Sequence, residues 1–112
     1  MEFEFITRDT TLPPCMPLPQ AMLRHPVSST AKVMYAGLLD SLIKDGMEDS
    51  NGILFVQYPI MELAAALARS TMTVKRSLHE LEAAGLIMRV RQGIGEPNHI
   101  YLLIPKKGAA HE

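Results

Sequence analysis

The order of apolar patterns in the second half of the chain constrains its fold more than any other feature. Pro59 suits the first turn of a helix, and the apolar residues that follow recur at helical spacing: Ile60, Leu63, Ala64 and Leu67. Only Ala68 and Arg69 separate this pattern from Ser70, which can cap a further helix ending at Gly85. That helix has an apolar inward face formed by Val74, Leu78 and Leu81. The sequence therefore predicts a compact pair of helices joined by a tight turn.

Two short runs rich in β-branched and aromatic residues follow the helix pair and predict a hairpin. Residues 86–91 are expected to form one strand and residues 99–104 its partner. The connecting residues, 92–98, include Gly93 and Gly95, which suit tight backbone turns. Because a dinucleotide-binding fingerprint needs a third glycine and a following helix, this loop predicts no cofactor site.

Upstream of the helix pair, the sequence predicts a long helix and a short strand. Either Ser28 or Ser29 can cap a helix whose apolar residues recur as far as Asp45, and a glycine follows as a natural stop. The turn-forming residues 49–52 lead into an apolar run at 53–56, which predicts a strand. The complete order predicts an α+β fold of the winged helix-turn-helix type, with three helices, a small antiparallel sheet and a β-hairpin wing.

The residues before the long helix form a proline-dense segment, which is expected to be an arm without regular helix. Its prolines are Pro13, Pro14, Pro17, Pro19 and Pro26. Phe3, Phe5 and Ile6 alternate with acidic residues as in a strand. Three further apolar side chains offer contacts, so the arm is expected to pack against another surface, which could be a second subunit: Leu18, Met22 and Leu23. The predicted organisation is an arm at 1–27, a winged helix domain at 28–107 and a flexible tail at 108–112.

The distribution of charge is more informative than its sum. The formal net charge of −1 disfavours a nucleic-acid partner, because neutralisation of phosphates by lysine and arginine supplies most non-specific affinity. However, residues 1–69 carry five basic and eight acidic side chains, whereas residues 70–107 carry six basic and three acidic ones. The basic excess coincides with the last helix and the hairpin, and it favours a polyanionic partner.

A winged helix places its last helix in the major groove of DNA and its hairpin along the backbone. The candidate DNA-binding residues are therefore Ser70, Thr71, Met72, Thr73, Lys75, Arg76 and His79 of the helix, and Arg89, Arg91, Gln92 and Asn98 of the hairpin. Arginine suits bidentate pairing with guanine, and threonine can bond a base edge or touch a thymine methyl group. Strand alternation places Arg89 and Arg91 on one face of the strand, where they can bind phosphates. Lys106 and Lys107 lie at the far end of the hairpin.

A simpler interpretation of the same residues stays open. The charged residues of the last helix can form a solvated face that pairs with Glu80 and Glu82. The arginines of the hairpin can mark the solvent side of a two-stranded ribbon.

Other functional classes find little support in the sequence. Cys15 is the only cysteine, which excludes a disulfide within the chain and a cysteine-rich zinc site. The histidines lack metal-binding spacing: His25, His79, His99 and His111. Because no nucleophile-elbow or phosphate-loop motif occurs, we expect no enzyme activity, metal or cofactor. Without a run of about 18 apolar residues or a secretory signal, the chain is expected to be cytoplasmic, with no membrane partner.

Several segments between residues 17 and 104 carry a resemblance to a known family. The most specific is Arg-Gln-Gly-Ile-Gly-Glu-Pro-Asn-His-Ile-Tyr at 91–101. The others are Ala31-Lys32, Leu38-Leu39-Asp40, Asn51-Gly52, His79-Glu80-Leu81-Glu82 and Gly85-Leu86-Ile87. With these segments the chain resembles the N-terminal winged helix-turn-helix domain family of plasmid replication initiator protein A.

The resemblance implies a homodimer that binds repeated double-stranded DNA sites at a plasmid origin. It assigns the recognition helix to residues 70–84 and the loading of host replication proteins to a separate C-terminal region. The chain is then expected to be either an excised N-terminal domain or a short relative. Two alternatives stay open: a transcriptional regulator of the same fold, and a winged helix whose outward face docks an acidic protein.

Overall fold

A computed structural model of the protein describes residues 4–105 and arranges them as a winged helix-turn-helix. The helices are α1 (Gln20–Leu23), α2 (Ser29–Asp45), α3 (Ile60–Ala66) and α4 (Thr71–Ala83), and the strands are β1 (Met47–Glu48), β2 (Leu54–Gln57), β3 (Ile87–Val90) and β4 (His99–Leu102). The strands form an antiparallel sheet in the order β1-β2-β4-β3. The predicted α+β class and winged helix-turn-helix fold are confirmed, with α3 and α4 as the helix pair and the β3–β4 hairpin as the wing.

The long helix α2 begins and ends where the sequence indicated. Ser28 caps it, because its Oγ accepts a hydrogen bond from the backbone N–H of Ala31 at 3.1 Å. At the other end, Gly46 donates its N–H to the carbonyl of Leu42 at 3.0 Å. Of the two candidate caps, Ser28 is the one that the helix uses.

A short turn without glycine joins α3 to α4. Pro59 precedes α3 as its N-cap residue, and the helix ends at Ala66. Ala68 then adopts a φ of +54°, a left-handed conformation that alanine rarely takes. Arg69 donates its N–H to the carbonyl of Ala64 at 2.9 Å, which closes the end of α3. These contacts direct the chain into α4 without a long connection.

Apolar side chains from the helices and the sheet form one core. Its buried members are Met22, Ala31, Met34, Tyr35, Leu38, Val56, Leu63, Ala64, Val74, Leu78, Leu81, Leu86, Ile87 and Ile100. The Oη of Tyr35 donates a hydrogen bond to the carbonyl oxygen of Leu103 at 2.7 Å, which joins α2 to the chain just after β4. Burial raises the pKa of the Tyr35 phenol, which further favours the protonated form that donates this bond.

β1 and β2 form a second hairpin, of which only β2 was predicted. In the predicted turn between them, Asp49 Oδ1 accepts hydrogen bonds from the N–H groups of Asn51 and Ile53 at 2.8 and 3.0 Å. Asp49 Oδ2 accepts a further bond from Tyr101 Oη at 2.9 Å, which ties this turn to β4. β2 lies one residue later than predicted, and β3 and β4 are shorter than predicted.

The segment before α2 differs from its prediction. α1 is a single helical turn in a stretch that contains no proline, with Pro19 at its N-cap, so the prediction of no helix here was wrong. Met22 of α1 is fully buried in the core of the same chain. Phe5 and Ile6, predicted to be strand-like, lie in no strand, and the Phe5 side chain is 95% exposed.

Some sequence predictions fall outside the described residues, namely those on Phe3, Lys106, Lys107, His111 and the tail at 108–112. Within residues 4–105, no helix combines the length and apolar character that crossing a membrane requires.

Candidate nucleic-acid interface

The predicted interface begins at the N-terminus of α4. Ser70 caps this helix: its Oγ accepts a hydrogen bond from the backbone N–H of Thr73 at 3.1 Å and donates one to Thr73 Oγ1 at 3.0 Å. Thr73 is half-buried and its hydroxyl is engaged, whereas Thr71 and Met72 are exposed. The first turn of α4 therefore presents two side chains to solvent from a capped backbone.

The remainder of α4 has an apolar inner face and a polar outer face. Val74, Leu78 and Leu81, which were predicted to point inward, are at most 1% exposed. The outer face of α4 consists of the exposed residues Thr71, Met72, Lys75, Arg76 and His79. The inward positions expected from helical spacing are thus confirmed, and the candidate residues Lys75, Arg76 and His79 lie on the opposite, exposed side.

The two acidic residues of α4 bond to other elements. The Glu80 carboxylate accepts hydrogen bonds from the backbone N–H of Ser28 at 2.7 Å and from its Oγ at 2.8 Å. These bonds, the backbone one first, hold the pKa of Glu80 below its usual range. Glu82 accepts hydrogen bonds from Arg89, whose side chain is the main cause that lowers the Glu82 pKa. Both carboxylates are therefore ionised at neutral pH and already have partners.

The outer face of α4 is consequently basic. Lys75 and Arg76 form no ion pair within the part of the chain that the structure describes, where the ion pairs are Lys44–Asp40 and Arg89–Glu82. Among the groups that lower the pKa of Glu82, His79 contributes least. An exposed guanidinium with no acidic partner can donate two parallel hydrogen bonds to O6 and N7 of guanine. Arg76 is an exposed guanidinium of this kind.

The wing is the β3–β4 hairpin with its loop at residues 91–98. Arg91 leads into the loop, and its side chain is exposed. Glu96 donates its backbone N–H to the carbonyl of Gly93 at 3.1 Å, and Gly95 between them has a φ of +83°. Of the two glycines predicted to serve turns, Gly95 is the one in the left-handed conformation that favours glycine.

Arg89 and Arg91 lie in different environments. β3 ends at Val90, so strand alternation does not place the two arginines side by side as predicted. Arg89 instead contacts Glu82 of α4: its Nε and Nη2 donate to Oε1 at 3.1 and 2.8 Å, and its backbone N–H donates to Oε2 at 3.2 Å. The exposed arginine of the wing is Arg91.

Gln92 and Asn98 flank the wing loop. Gln92 is half-buried, and its Nε2 donates a hydrogen bond to the carbonyl of Val90 at 3.0 Å. Asn98 is exposed and lines a cleft of about 250 Å³ between the wing loop and the start of α3. Asn98 is thus available to a ligand, whereas the amide of Gln92 helps to hold the loop.

The histidines take separate positions. His99 stacks on Phe55, with ring centroids 3.9 Å apart, and its Nε2 lies 3.1 Å from Gln57 Nε2. His79 lies on the outer face of α4, and His25 follows α1. Between residues 4 and 105, no group of three or more histidine, cysteine or acidic side chains is placed to hold a metal ion.

The contacts that orient this interface leave little trace in the sequence and were not predicted. Ser28 and Glu80 lie 52 residues apart, and no periodic pattern connects them. Glu82 and Arg89 are only seven residues apart, on either side of the turn at Gly85. Their opposite charges across a tight helix-to-strand connection were the one available signal for that pair.

Comparison with known proteins relates this domain to replication initiators. A sequence model of the family described as the N-terminus of replication initiator protein A (RepA) matches residues 17–107. The match includes the outer face of α4 and the whole wing. None of the curated proteins is significantly similar to the chain in sequence.

Three solved structures share the fold of this chain over most of their own length. The chain is 22% identical to an "N-Terminal domain of DNA binding protein", with a TM-score of 0.72 over 94% of this chain and 86% of that one. It is 25% identical to the protein in "Structure of Rep-DNA complex", with a TM-score of 0.73 over 83% and 77% of the two chains. For "Structure of MDR initiator" the identity is 26% and the TM-score 0.70, over 96% and 93%.

Proposed function

Because the chain belongs to the family of replication initiator protein A N-terminal domains, we propose that it binds double-stranded DNA in the initiation of replication. In this proposal, the outer face of α4 lies in the major groove and contacts base edges, and the wing lies along the phosphate backbone. The domain itself has no catalytic role and needs no cofactor.

The observation that carries the proposal is the basic outer face of α4. Lys75 and Arg76 are exposed and have no acidic partner among residues 4–105, because Glu80 and Glu82 are bonded to Ser28 and Arg89. A chain with a net charge of −1 has little general attraction to DNA, so a local unpaired basic surface is what such binding requires. Thr71 and Met72 extend this surface to the start of the helix, the part that lies nearest the bases in helix-turn-helix proteins.

The wing supplies the second half of the proposed contact. Arg91 is exposed and can neutralise a phosphate, and Asn98 can donate its amide to a phosphate or sugar oxygen. Ser70, Thr73 and Gln92 support these contacts through the local hydrogen bonds that hold the first turn of α4 and the wing loop.

The finer proposal concerns the target. One solved relative is described as a Rep–DNA complex, and the family consists of replication initiators. We therefore place this domain on repeated sites at a plasmid origin in the cytoplasm, where it binds as a homodimer. Contact with host replication proteins belongs in this proposal to another region of the initiator.

The experiment is a titration of the domain against labelled duplex fragments that tile its own gene and the flanking DNA. Affinity is measured by fluorescence anisotropy at low and moderate salt, with unlabelled competitor DNA present, and stoichiometry is measured on the bound fragment. We expect one repeated fragment to resist the competitor and to bind two chains per site. Uniformly weak binding to every fragment would contradict the proposal and favour a protein partner for α4, and binding only at a neighbouring promoter would favour a transcriptional regulator.

A further inference from the structure

The hydrogen-bonded pair of Glu82 and Arg89 connects the two parts of the DNA-binding surface. We propose that this pair positions the wing relative to α4, and that Arg89 acts through Glu82 and does not itself bind phosphate. The proposal rests on the proposed function, because its consequence is a fixed spacing between the base-contacting helix and the backbone-contacting wing. It reassigns Arg89, whose residue type and place in the hairpin otherwise predict a phosphate contact.

Three hydrogen bonds join Arg89 to the carboxylate of Glu82. One oxygen of Glu82 accepts two hydrogen bonds from the Arg89 guanidinium, at 3.1 and 2.8 Å, and the other accepts the Arg89 backbone N–H at 3.2 Å. β3 is the last strand of the sheet, so this N–H lies at an edge where no further strand accepts it. Glu82 therefore bonds to both the side chain and the backbone of Arg89 in β3.

No other hydrogen bond joins α4 to the β3–β4 hairpin within the described residues. The turn between them is fixed where it enters β3: Leu86 donates its N–H to the carbonyl of Leu81 at 2.9 Å, and Ile87 is buried in the core. Beyond that point, Glu82 and Arg89 supply the polar contact between α4 and β3, while β4 is held on its other side by pairing with β2.

The Arg89 side chain is poorly placed to serve DNA as well. It is 23% exposed, and two of its donor groups are used by Glu82. A phosphate would have to displace a carboxylate that is tied to the same strand and leave it beside the negatively charged backbone of DNA, which is unfavourable. Arg91, two residues further along, is exposed and has no such partner among residues 4–105.

A fixed wing matters because α4 and the wing can contact the same duplex at once only when their spacing matches that of the groove and the backbone. If the wing samples several orientations, the apparent affinity falls in proportion to the fraction of molecules that hold the competent one. Loosening the pair should therefore weaken DNA binding without removing any group that touches DNA.

The test compares Glu82→Gln, Arg89→Met and the double variant on a bound duplex fragment, at several salt concentrations. Far-ultraviolet circular dichroism and thermal melts first establish that each variant is folded. If the pair positions the wing, both single variants should weaken DNA binding by about fivefold, the upper range for a partly exposed ion pair, and the double variant should lose no more than either. The slope of log affinity against log salt should stay unchanged.

A direct phosphate contact predicts a different pattern. Glu82→Gln would then strengthen binding, because it frees Arg89 and removes a negative charge near DNA, and Arg89→Met would lower the salt slope by about 0.9. Either result would overturn the proposal, as would unchanged binding in both variants. Arg91→Ala is the matched control, because it removes a wing arginine that Glu82 does not hold.

A second measurement tests the positioning without DNA. Nitroxide labels are attached at Met72→Cys and Ile94→Cys in a Cys15→Ser background, since both sites are exposed and they mark the start of α4 and the tip of the wing. Electron-electron double resonance should give a narrow distance distribution that Glu82→Gln broadens. Equal widths would overturn the positioning role even if the parent domain binds DNA, and failure of the parent to bind DNA would instead count against the proposed function.

Discussion

The carboxylate of Glu80 accepts both the backbone N–H and the hydroxyl of Ser28, at 2.7 and 2.8 Å. The same hydroxyl oxygen accepts the N–H of Ala31 and so caps α2. One side chain of α4 therefore holds the residue at which α2 begins. The outer face of α4 is oriented by this anchor as well as by the apolar core beneath it.

Replacing Glu80 should lower the stability of the fold in a pH-dependent way. The bonds from Ser28 lower the pKa of Glu80 in the folded state, so the unfolded state binds the proton more readily. The stabilisation is therefore fully present above the pKa of an unperturbed glutamate, about 4.3, and is lost as the pH falls through the lower pKa of the folded state. Urea denaturation should show Glu80→Gln less stable than the parent at neutral pH, with a difference that shrinks in acid.

The control for this prediction is Glu48→Gln, which removes an exposed carboxylate from β1. It should reproduce little of the neutral-pH loss. If Glu80→Gln and the parent showed the same stability from about pH 7 to about pH 3, the anchor would have no energetic role.

The hydroxyl of Tyr35 should contribute measurably to stability. Tyr35→Phe keeps the buried ring and removes only the hydrogen bond to the Leu103 carbonyl, so we expect a loss of about 1 kcal/mol in the free energy of unfolding. Urea denaturation measures it, with Tyr58→Phe as the control at a half-buried tyrosine. A loss below about 0.3 kcal/mol would mean that water replaces the hydroxyl without penalty.

The contact between Tyr101 and Asp49 should be visible in the titration of Asp49. The pKa of this carboxyl is lowered first by the Ile53 N–H, then by the Asn51 N–H and the Tyr101 hydroxyl. Tyr101→Phe should therefore raise the Asp49 pKa part of the way toward its usual value, as followed by carbon-detected NMR. An unchanged titration would show that Tyr101 does not hold the turn in solution.

The helices of the interface could be predicted because their signals are local. The spacing of Val74, Leu78 and Leu81 indicates which side of α4 is buried, and the serines at positions 28 and 70 cap the helices that follow them. These properties depend on residues within a few positions of one another. Periodicity and capping therefore identified both the helix pair and its exposed side.

The partners of the charged residues could not be predicted in the same way. Periodicity assigns Glu80 to a side of α4, but its partner lies 52 residues away and follows only from the packing of α2 against α4. Strand alternation failed for Arg89 and Arg91 because β3 ends between them. α1 was missed because a count of prolines over the whole segment hides the short proline-free stretch that forms a turn.

The proposed role of Arg91 predicts a uniform effect on DNA binding. Arg91→Ala should weaken binding to every duplex by a similar factor and reduce the slope of log affinity against log salt by about 0.9, since a phosphate contact releases a counterion and carries no sequence information. The measurement is a salt series on the bound fragment and on a scrambled duplex of equal length. A loss confined to the specific fragment would assign Arg91 to base recognition instead.

The central claim is that the outer face of α4 contacts base edges, and Arg76→Ala tests it most directly. The quantity to measure is the affinity for the bound fragment divided by the affinity for a scrambled duplex, with Lys44→Ala as a control that removes one positive charge from α2. We predict that Arg76→Ala lowers this ratio by a factor equivalent to about 1–3 kcal/mol of binding free energy and relaxes the preference at one base pair, whereas Lys44→Ala leaves the ratio unchanged. An unchanged ratio in Arg76→Ala, with binding to both duplexes weakened alike, would contradict the claim.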